Sequence, residues 1–318
     1  MSEVKHRLRL LDLPFFETIE DLAALIRVDA GRLRLLSSHP EKFYRTYRIS
    51  KRSGGWRKIC SPSKELKAIQ AWILRNVLDK LSPSQYATAY VSGKRLLDNV
   101  SPHANNRYFI SMDIRNFFPS VTSFRVRAIF EALGYSMLAG STLARLCCYF
   151  HGLPQGGVTS PALSNLVCLR LDRRLAGLAA RRNIVFTRYA DDITFSSNNR
   201  NALCRMLPIT YKILISERFQ PNEDKLRVMG PRVRCSITGL VKDASVGRFG
   251  IGRHKKCAMR AVMHNLLARH EASPDYTDEA SIVGWLSFLQ SVDGESYRQM
   301  TRYWKQQKDK WLCSVRPV

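Results

Sequence analysis

Residues 184–197 read Ile-Val-Phe-Thr-Arg-Tyr-Ala-Asp-Asp-Ile-Thr-Phe-Ser-Ser. The apolar and β-branched residues of this stretch predict two short strands joined by a tight turn at Ala190 and Asp191. Asp191 and Asp192 lie side by side at the tip, where two carboxylates repel each other unless a cation lies between them. The stretch therefore predicts a hairpin that carries a cation site.

A third carboxylate, Asp113, lies near the end of residues 107–114, whose alternating apolar pattern predicts another strand. If this strand pairs beside the hairpin, all three carboxylates meet at one edge of a sheet. Mg²⁺ takes oxygen ligands from one or two carboxylates and from substrate phosphates. Two such ions about 3.5–4 Å apart support in-line phosphoryl transfer. The alternative is an acidic turn in solvent.

The charge balance independently indicates a polyanionic partner. The chain has 318 residues, with 51 Lys+Arg against 26 Asp+Glu and a formal net charge of +25. Because this surplus is spread along the chain, it favours a long basic groove over a basic tail. The alternative is a generally basic soluble protein. The 45% of hydrophobic residues predict a sizeable core, and the length predicts about two domains or one divided domain.

Several classes of protein are excluded by absent patterns. No apolar run approaches the roughly 18 residues of a membrane-spanning helix, and the first residues lack the apolar segment of a signal peptide. We therefore expect a cytoplasmic protein with no membrane partner. The eight cysteines form no CxxC pair, which predicts reduced core thiols rather than a zinc site. Neither a GxxxxGK[ST] phosphate loop nor a GxSxG nucleophile motif is present.

The rest of the sequence predicts helices interleaved with short strands, which is an α+β fold. The aromatic residues Tyr303, Trp304 and Trp311 are interpreted as packing residues. The predicted segments are short helices within 18–36, a hairpin at 46–60 that turns at Ser53-Gly54-Gly55, a helix that opens at Ser61-Pro62 with a stripe to Leu81, helices at 123–133 and 141–150, a helix that opens at Ser160-Pro161 with a stripe to Leu178, a helix at 200–216, a strand at 225–229, short strands within 236–252, a helix at 253–270, a loop at Ser273-Pro274, and helices at 278–291 and 294–312.

Four segments resemble motifs of reverse transcriptases, in the order in which that family carries them. Residues 189–192 (Tyr-Ala-Asp-Asp) are similar to the YxDD box, and residues 113–118 (Asp-Ile-Arg-Asn-Phe-Phe) to the first palm motif. Residues 153–161 resemble the PQG…SP loop and helix start, and residues 56–59 (Trp-Arg-Lys-Ile) the fingers segment that contacts the incoming nucleotide.

The resemblance implies a right-hand polymerase with fingers, a palm made of an antiparallel sheet plus helices, and a short, mostly helical thumb. It implies N-terminal helices and fingers over residues 1–105. The palm, with the catalytic carboxylates and with fingers and palm helices interleaved, would cover 106–235. A thumb that binds RNA or duplex would cover 236–318.

The resemblance also implies catalytic roles. Asp113, Asp191 and Asp192 would hold two Mg²⁺ ions. Lys225 matches the lysine proposed to protonate the departing pyrophosphate, although it could equally be a surface lysine. Phe118 matches the aromatic residue that excludes a ribose 2′-hydroxyl by bulk, and the alternative is an ordinary core phenylalanine.

The implied nucleotide site is formed by two segments. Arg57 matches the arginine that binds the triphosphate, and a guanidinium fork suits phosphate oxygens. Gln155 and Gly156 match the loop that covers the nucleotide, where a small residue lets the backbone approach closely. The alternative for Arg57 is an arginine side chain in solvent, and the alternative for the loop is a plain Gly-Gly turn. The remaining residues implied at this site are Lys58, Ile114 and Arg115.

Two further segments are similar to signatures of bacterial retron reverse transcriptases. Residues 99–103 (Asn-Val-Ser-Pro-His) differ from NAxxH by Val for Ala, and residues 237–239 (Ile-Thr-Gly) differ from VTG by Ile for Val. A retron enzyme implies a dedicated structured non-coding RNA and priming from the 2′-hydroxyl of a guanosine. The product is a branched RNA–DNA hybrid. The resemblance also implies a role in defence against phage with an accessory effector protein.

The resemblance places RNA or duplex contacts in these signatures and in the predicted thumb. The alternative for His103 is a structural histidine held by hydrogen bonds. The alternative for the basic residues of the predicted thumb helix is a helix face in solvent. For the whole chain, another small bacterial reverse transcriptase (group II intron-like or diversity-generating) and a catalytically inactive RNA-binding scaffold remain open. The residues implied to contact RNA or duplex are Asn99, His103, Thr238, Gly239, Arg253, Lys255, Lys256 and Arg260.

Overall fold

The structure is a computed structural model that describes residues 2–50, 54–243, 247–269 and 276–315. Its N-terminal part has helices on either side of one β-hairpin. In β1 and β2, Tyr47 lies opposite Ile59, which confirms the predicted hairpin, while Ser53 of its predicted turn lies outside the described residues. The elements are α1 (Ser2–Leu10), α2 (Ile19–Ile26), α3 (Ala30–Ser38), β1 (Tyr44–Ser50), β2 (Trp56–Pro62), α4 (Lys64–Asn76) and α5 (Leu96–Val100).

The predicted start of α4 is wrong by two residues. Ser61 and Pro62 belong to β2, and Ser63 caps the helix by accepting the N–H of Leu66 at 3.3 Å. The helix ends at Asn76, before Leu81, and a short 3₁₀ turn follows it.

The middle of the chain forms the central sheet and the helices that cover it. Its four strands are antiparallel in the order β4-β5-β3-β6, which confirms the predicted α+β architecture. The elements are β3 (Tyr108–Ile114), α6 (Phe117–Ser120), α7 (Ser123–Leu133), α8 (Met137–Cys147), α9 (Ser160–Val167), α10 (Leu169–Ala180), β4 (Val185–Tyr189), β5 (Asp192–Ser197), α11 (Arg200–Ser216) and β6 (Pro221–Met229).

Three predicted boundaries in this region are corrected. Helix α8 begins at Met137 because the Ser136 hydroxyl accepts the N–H of Ala139 at 3.2 Å. The single helix predicted from Ser160 is two helices, α9 and α10, that meet at Cys168. The strand predicted at 225–229 is longer, since β6 pairs with β3 from Pro221 onward.

The C-terminal part packs three helices on a small sheet. Tyr303 and Trp304 join its hydrophobic cluster, as predicted, whereas the Trp311 side chain and the loop predicted at Ser273-Pro274 lie outside the described residues. Within the described ranges, no helix has both the length and the apolar character that crossing a membrane requires. The elements are β7 (Ser236–Ile237), β8 (Leu240–Lys242), β9 (Phe249–Gly250), α12 (Arg253–Arg269), α13 (Tyr276–Val292) and α14 (Gly294–Val315).

Strand β3 contributes to two hydrophobic cores. Ile110 and Met112 point into the larger cluster, which includes the N-terminal helices and the helices behind the sheet. Phe109 points the other way, into the smaller cluster of the C-terminal part. Because side chains alternate along a strand, Asp113 lies on the Phe109 side of the sheet, at the end of the strand. One strand thus fixes the carboxylate between the two cores.

Candidate active site

The three predicted carboxylates lie at one edge of the central sheet. Strand pairing sets Asp113 opposite Asp192, and the N–H of Ile114 donates to the carbonyl oxygen of Asp191 at 3.1 Å. Ala190 takes a left-handed conformation with φ +57°, which closes the turn before Asp191. The hairpin and β3 therefore meet as the sequence predicts.

Asp191 and Asp192 lie in surroundings that disfavour their charged forms. Burial raises the pKa of Asp191, and the negative charge of Asp113 raises it further. Burial also raises the pKa of Asp192 to about 6, with added repulsion from Asp191 and Asp113. This electrostatic arrangement is one that a divalent cation stabilises.

Asp113 is held by two neighbours on β6. Its Oδ2 accepts a hydrogen bond from the Lys225 ammonium at 2.7 Å, and its Oδ1 accepts one from the Asn222 amide at 3.0 Å. The hydrogen bond to Asp113 raises the pKa of Lys225, so the lysine is positively charged. Asn222 was missed by the sequence analysis, because the pairing of β6 with β3 was not predicted.

The donor set fits a hard divalent cation, because it consists of carboxylate oxygens. Among the described residues, no three Asp, Glu, His or Cys side chains form a ready-made metal cluster. The Lys225 ammonium donates to one oxygen of Asp113 and the Asn222 amide to the other. Each carboxylate oxygen keeps a further lone pair with which a metal ion could be bound.

A cleft of about 700 Å³ opens beside the carboxylates. Several cations converge on it, and Arg57 and Asp191 both line it. Cationic walls beside carboxylates suit a ligand that carries phosphates and a metal ion. The lining includes Arg57, Lys58, Asp113, Ile114, Arg115, Gln155, Asp191 and Lys225, so it brings together most of the predicted nucleotide-site residues.

The predicted loop at Gln155 and Gly156 is joined to strand β2. The N–H of Cys60 donates to the Gln155 carbonyl oxygen at 2.7 Å. Gly156 has φ +114°, and a Cβ at this position would lie 2.9 Å from the Cys60 carbonyl oxygen. Only glycine fits this conformation and this close approach. The loop is therefore built into the wall of the cleft.

Phe118 and its neighbour Phe117 have different surroundings. Phe117 is buried and stacks on Phe219 with ring centroids 5.9 Å apart. Phe118 is half-buried and lines an adjoining pocket of about 290 Å³ that also contains Asp191. Tyr90 lies on the same pocket, with its ring centroid 6.2 Å from that of Phe118. Tyr90 was missed, because no local pattern marks a loop residue that folds back onto the site.

Asn99 and His103 have no side-chain surface for a direct RNA contact, which corrects that part of the prediction. His103 is fully buried, and its ring nitrogens lie 2.6 Å from the Ser196 hydroxyl and 2.8 Å from the Thr187 hydroxyl. Burial lowers the pKa of His103 to about 3, so the ring is neutral. The alternative of a hydrogen-bonded structural histidine therefore describes the structure.

The two retron-like signatures contact each other. The side-chain amide of Asn99 donates to the Thr238 hydroxyl at 3.4 Å. Thr238 and Gly239 both have positive φ, +46° and +84°. The hydrogen bond between Asn99 and Thr238 thus joins helix α5 to the tight turn between β7 and β8. Because these residues are far apart in the sequence, no short motif could reveal their contact.

The basic residues of α12 are partly engaged in the fold. Lys255 donates to the Gly239 carbonyl oxygen at 2.9 Å, and Lys256 lies 3.7 Å from a carboxylate oxygen of Asp293. The Arg260 guanidinium lies over the Tyr303 ring at 5.8 Å. Arg253 is exposed at the start of the helix. Lys255 and Lys256 therefore have partners within the protein besides any nucleic acid.

Comparisons with known proteins agree with this geometry. A family model described as reverse transcriptase (RNA-dependent DNA polymerase) matches residues 49–252. Retron Ec86 reverse transcriptase of Escherichia coli is 38% identical over 299 residues, which cover 93% of this chain and 91% of that protein. Retron Mx65 reverse transcriptase of Myxococcus xanthus is 34% identical over 312 residues, which cover 91% and 72%.

A solved structure supports the fold alone. Telomerase from Candida albicans, in complex with a fragment of telomeric RNA, aligns with a TM-score of 0.53 at 12% identity. The alignment covers 86% of this chain, and this chain spans 64% of that telomerase chain. The predicted right-hand polymerase fold is thereby confirmed.

Proposed function

This chain belongs to the reverse transcriptase family and, within it, to the retron reverse transcriptases, and from this premise we propose that it copies part of a cognate structured non-coding RNA into single-stranded DNA. Its activity is that of an RNA-directed DNA polymerase. Priming uses the 2′-hydroxyl of a guanosine in that RNA, so the product is a branched RNA–DNA hybrid. The observation that carries the proposal is the convergence of Asp113, Asp191 and Asp192 beside a cation-lined cleft.

Reverse transcriptases use divalent metal ions, and we propose that Asp113, Asp191 and Asp192 hold two Mg²⁺ ions in this chain. Such ions supply the charge that activates the attacking hydroxyl and neutralises the leaving phosphates. The raised pKa values of Asp191 and Asp192 support this role, because burial and repulsion among the carboxylates outweigh the nearby positive charges, and a bound divalent cation would reverse that balance.

The remaining cleft residues bind and orient the deoxynucleoside triphosphate. Arg57 binds the triphosphate as a guanidinium fork, and Lys58 and Arg115 add positive charge to the same cleft. Gln155 and Gly156 cover the nucleotide, with Ile114 below it. Lys225 is protonated and lies at the carboxylates, so it is placed to give a proton to the departing pyrophosphate.

The domain assignment follows the same proposal. Residues 1–105 form the N-terminal helices and fingers, 106–235 the palm, and 236–318 a thumb that grips RNA or duplex. Arg253 is an exposed cation of that thumb and contacts phosphates. Cytoplasmic location, an accessory effector protein and a role in phage defence are proposed from the family resemblance.

Phe118→Ala is expected to admit ribonucleotides that the parent enzyme rejects. The Phe118 ring lines the pocket beside Asp191, so it excludes a 2′-hydroxyl by bulk alone. We expect the ratio of kcat/KM for deoxy- over ribonucleotides to fall roughly tenfold to a hundredfold, which is the range for a hydrophobic pocket that loses one contact. Phe130→Leu is the matched control, because Phe130 is fully buried in the core and lines neither the cleft nor this pocket. An unchanged ratio in Phe118→Ala would assign Phe118 to the core as well.

Product analysis tests the proposed function directly. The protein is purified with its copurifying nucleic acid, which is sequenced, and the recovered RNA is then incubated with enzyme and deoxynucleotides without a DNA primer. We expect DNA joined to the RNA by a 2′,5′ linkage that resists nucleases specific for 3′,5′ bonds. DNA that starts from an RNA 3′ end would indicate another type of small bacterial reverse transcriptase. No synthesis, even on an annealed primer, would indicate an inactive RNA-binding scaffold.

A further inference from the structure

The largest fully buried side chain of the described residues is a charged one, Arg188, two positions before the turn residue Ala190. Its Nε and Nη2 donate to the two carboxylate oxygens of Asp172 on α10, each at 2.7 Å. Both side chains have no exposed surface. The pair is therefore a bidentate ion pair inside the core, directly behind the catalytic hairpin.

The third nitrogen of the Arg188 guanidinium reaches the catalytic turn. Its Nη1 donates to the carbonyl oxygen of Ala190 and to the side-chain oxygen of Asn165, each at 3.1 Å. Ala190 holds a left-handed conformation that costs an L-residue energy and persists only when its surroundings enforce it. The Ala190 carbonyl belongs to the peptide that leads into Asp191. Its orientation therefore sets the direction in which the chain enters Asp191.

The Arg188 backbone is fixed as well. Its N–H donates to the Tyr86 carbonyl oxygen at 2.9 Å, and its carbonyl oxygen accepts the N–H of Thr88 at 2.9 Å. The Asn165 amide donates to the carbonyl oxygen of Ala89 at 2.8 Å, so the residue that braces the guanidinium also holds the loop leading to Tyr90. Hydrogen bonds thus hold both the backbone and the guanidinium of Arg188 in place.

We propose that Arg188 is a positioning residue for catalysis: it fixes the turn that presents Asp191 and Asp192 to the metal ions, while Asp172 and Asn165 hold its guanidinium in place. Stability alone does not require such a pair, since apolar residues of similar volume often replace a buried ion pair without loss. Apolar residues cannot supply a hydrogen-bond donor aimed at the Ala190 carbonyl. The inference rests on the proposed polymerase function.

The test is the double variant Arg188→Met with Asp172→Leu, which removes both buried charges together. We expect an RNA affinity close to that of the parent and a modestly lower melting temperature, because no unpaired charge remains but the Ala190 carbonyl oxygen and the Asn165 side-chain oxygen lose a donor. The kcat for primer extension should fall roughly tenfold to a hundredfold, since the carboxylates lose their orientation. Binding of Mn²⁺, measured by calorimetry without substrate, should weaken roughly tenfold, as when the partner of a metal ligand is lost.

Glu217→Gln is the matched control. Glu217 is also buried, and it accepts hydrogen bonds from Arg170 at 2.8 Å and Arg174 at 2.6 Å, both on α10. Among the contacts that the structure describes, this second network does not include the catalytic turn. We expect Glu217→Gln to lower the melting temperature and to leave Mn²⁺ binding and the metal dependence of kcat unchanged.

Asn165→Ala keeps the ion pair between Arg188 and Asp172 and removes the hydrogen bond from Arg188 to Asn165. It therefore tests the proposed role of Arg188 if the double variant does not fold. We expect it to fold, to bind RNA normally and to bind Mn²⁺ several-fold more weakly than the parent does. Parent-like Mn²⁺ binding and kcat in Asn165→Ala, or in a folded double variant, would overturn the inference. A parent protein that extends no primer would overturn the proposed function instead, so the two failures are distinguishable.

Discussion

Asp191→Asn is expected to abolish DNA synthesis while folding and RNA binding stay close to those of the parent protein. An amide at this position removes a charge from the proposed metal site. Two metal ions at such a site contribute several kcal/mol to the transition state, so we expect primer extension to fall by at least roughly a thousandfold. The melting temperature should be equal or higher, because the change also relieves repulsion among buried carboxylates.

The measurement is extension of an annealed primer at saturating Mg²⁺, with a melting curve and an RNA-binding titration on the same preparation. Asp192→Asn should behave in the same way. Glu223→Gln is the matched control, because it removes one negative charge from an exposed position of β6, next to Asn222. Substantial extension by Asp191→Asn would contradict the assignment of the carboxylates, and so would an equal loss in Glu223→Gln.

The second large effect concerns how synthesis begins. Once the product has located the priming guanosine, an RNA with 2′-deoxyguanosine at that position is expected to support no self-primed synthesis. In the proposed mechanism the nucleophile is the 2′-oxygen, so without it the first phosphodiester bond cannot form. We expect positioning of this hydroxyl by the folded RNA to provide most of the rate, so that no other hydroxyl takes its place. The measurement is incorporation of labelled deoxynucleotides into the RNA without added primer.

Extension of a DNA primer annealed to the same modified RNA is the control, and it should be unaffected. The role proposed for Phe118 is compatible with 2′-priming, because a ring that screens the incoming sugar does not act on the attacking one. Self-primed synthesis that survives the 2′-deoxy substitution would leave the polymerase function intact. It would contradict the proposed priming mechanism.

The carboxylate site could be predicted from the sequence because it depends on local patterns. Alternation along residues 107–114 and 184–197 identifies the strands, and a tight turn fixes which residues stand at the tip. The pairing of Asp113 with Asp192 then follows from bringing these strands together. The position of Gly156 could also be predicted, since its motif requires the loop backbone to approach a neighbouring backbone more closely than a side chain would permit.

Helix boundaries were less predictable, because competing signals stand next to each other. Ser61-Pro62 has the residue types that often begin a helix. In the structure, strand pairing with β1 extends to Pro62, and Ser63 caps the helix instead. The break between α9 and α10 at Cys168 carries neither a proline nor a glycine. Tertiary packing decided both cases.

Residue type, together with spacing within single strands and turns, was enough to predict the family, the α+β class, the three carboxylates and the cationic character of the cleft. The identity of the buried polar residues and of their partners came from the folded chain. His103 is a neutral core residue, Tyr90 faces Phe118, and Arg188 reaches the catalytic turn. The physical reason is that a hydrogen bond inside the core depends on distance and direction in the folded state, and residues far apart in the chain carry no local signal of either.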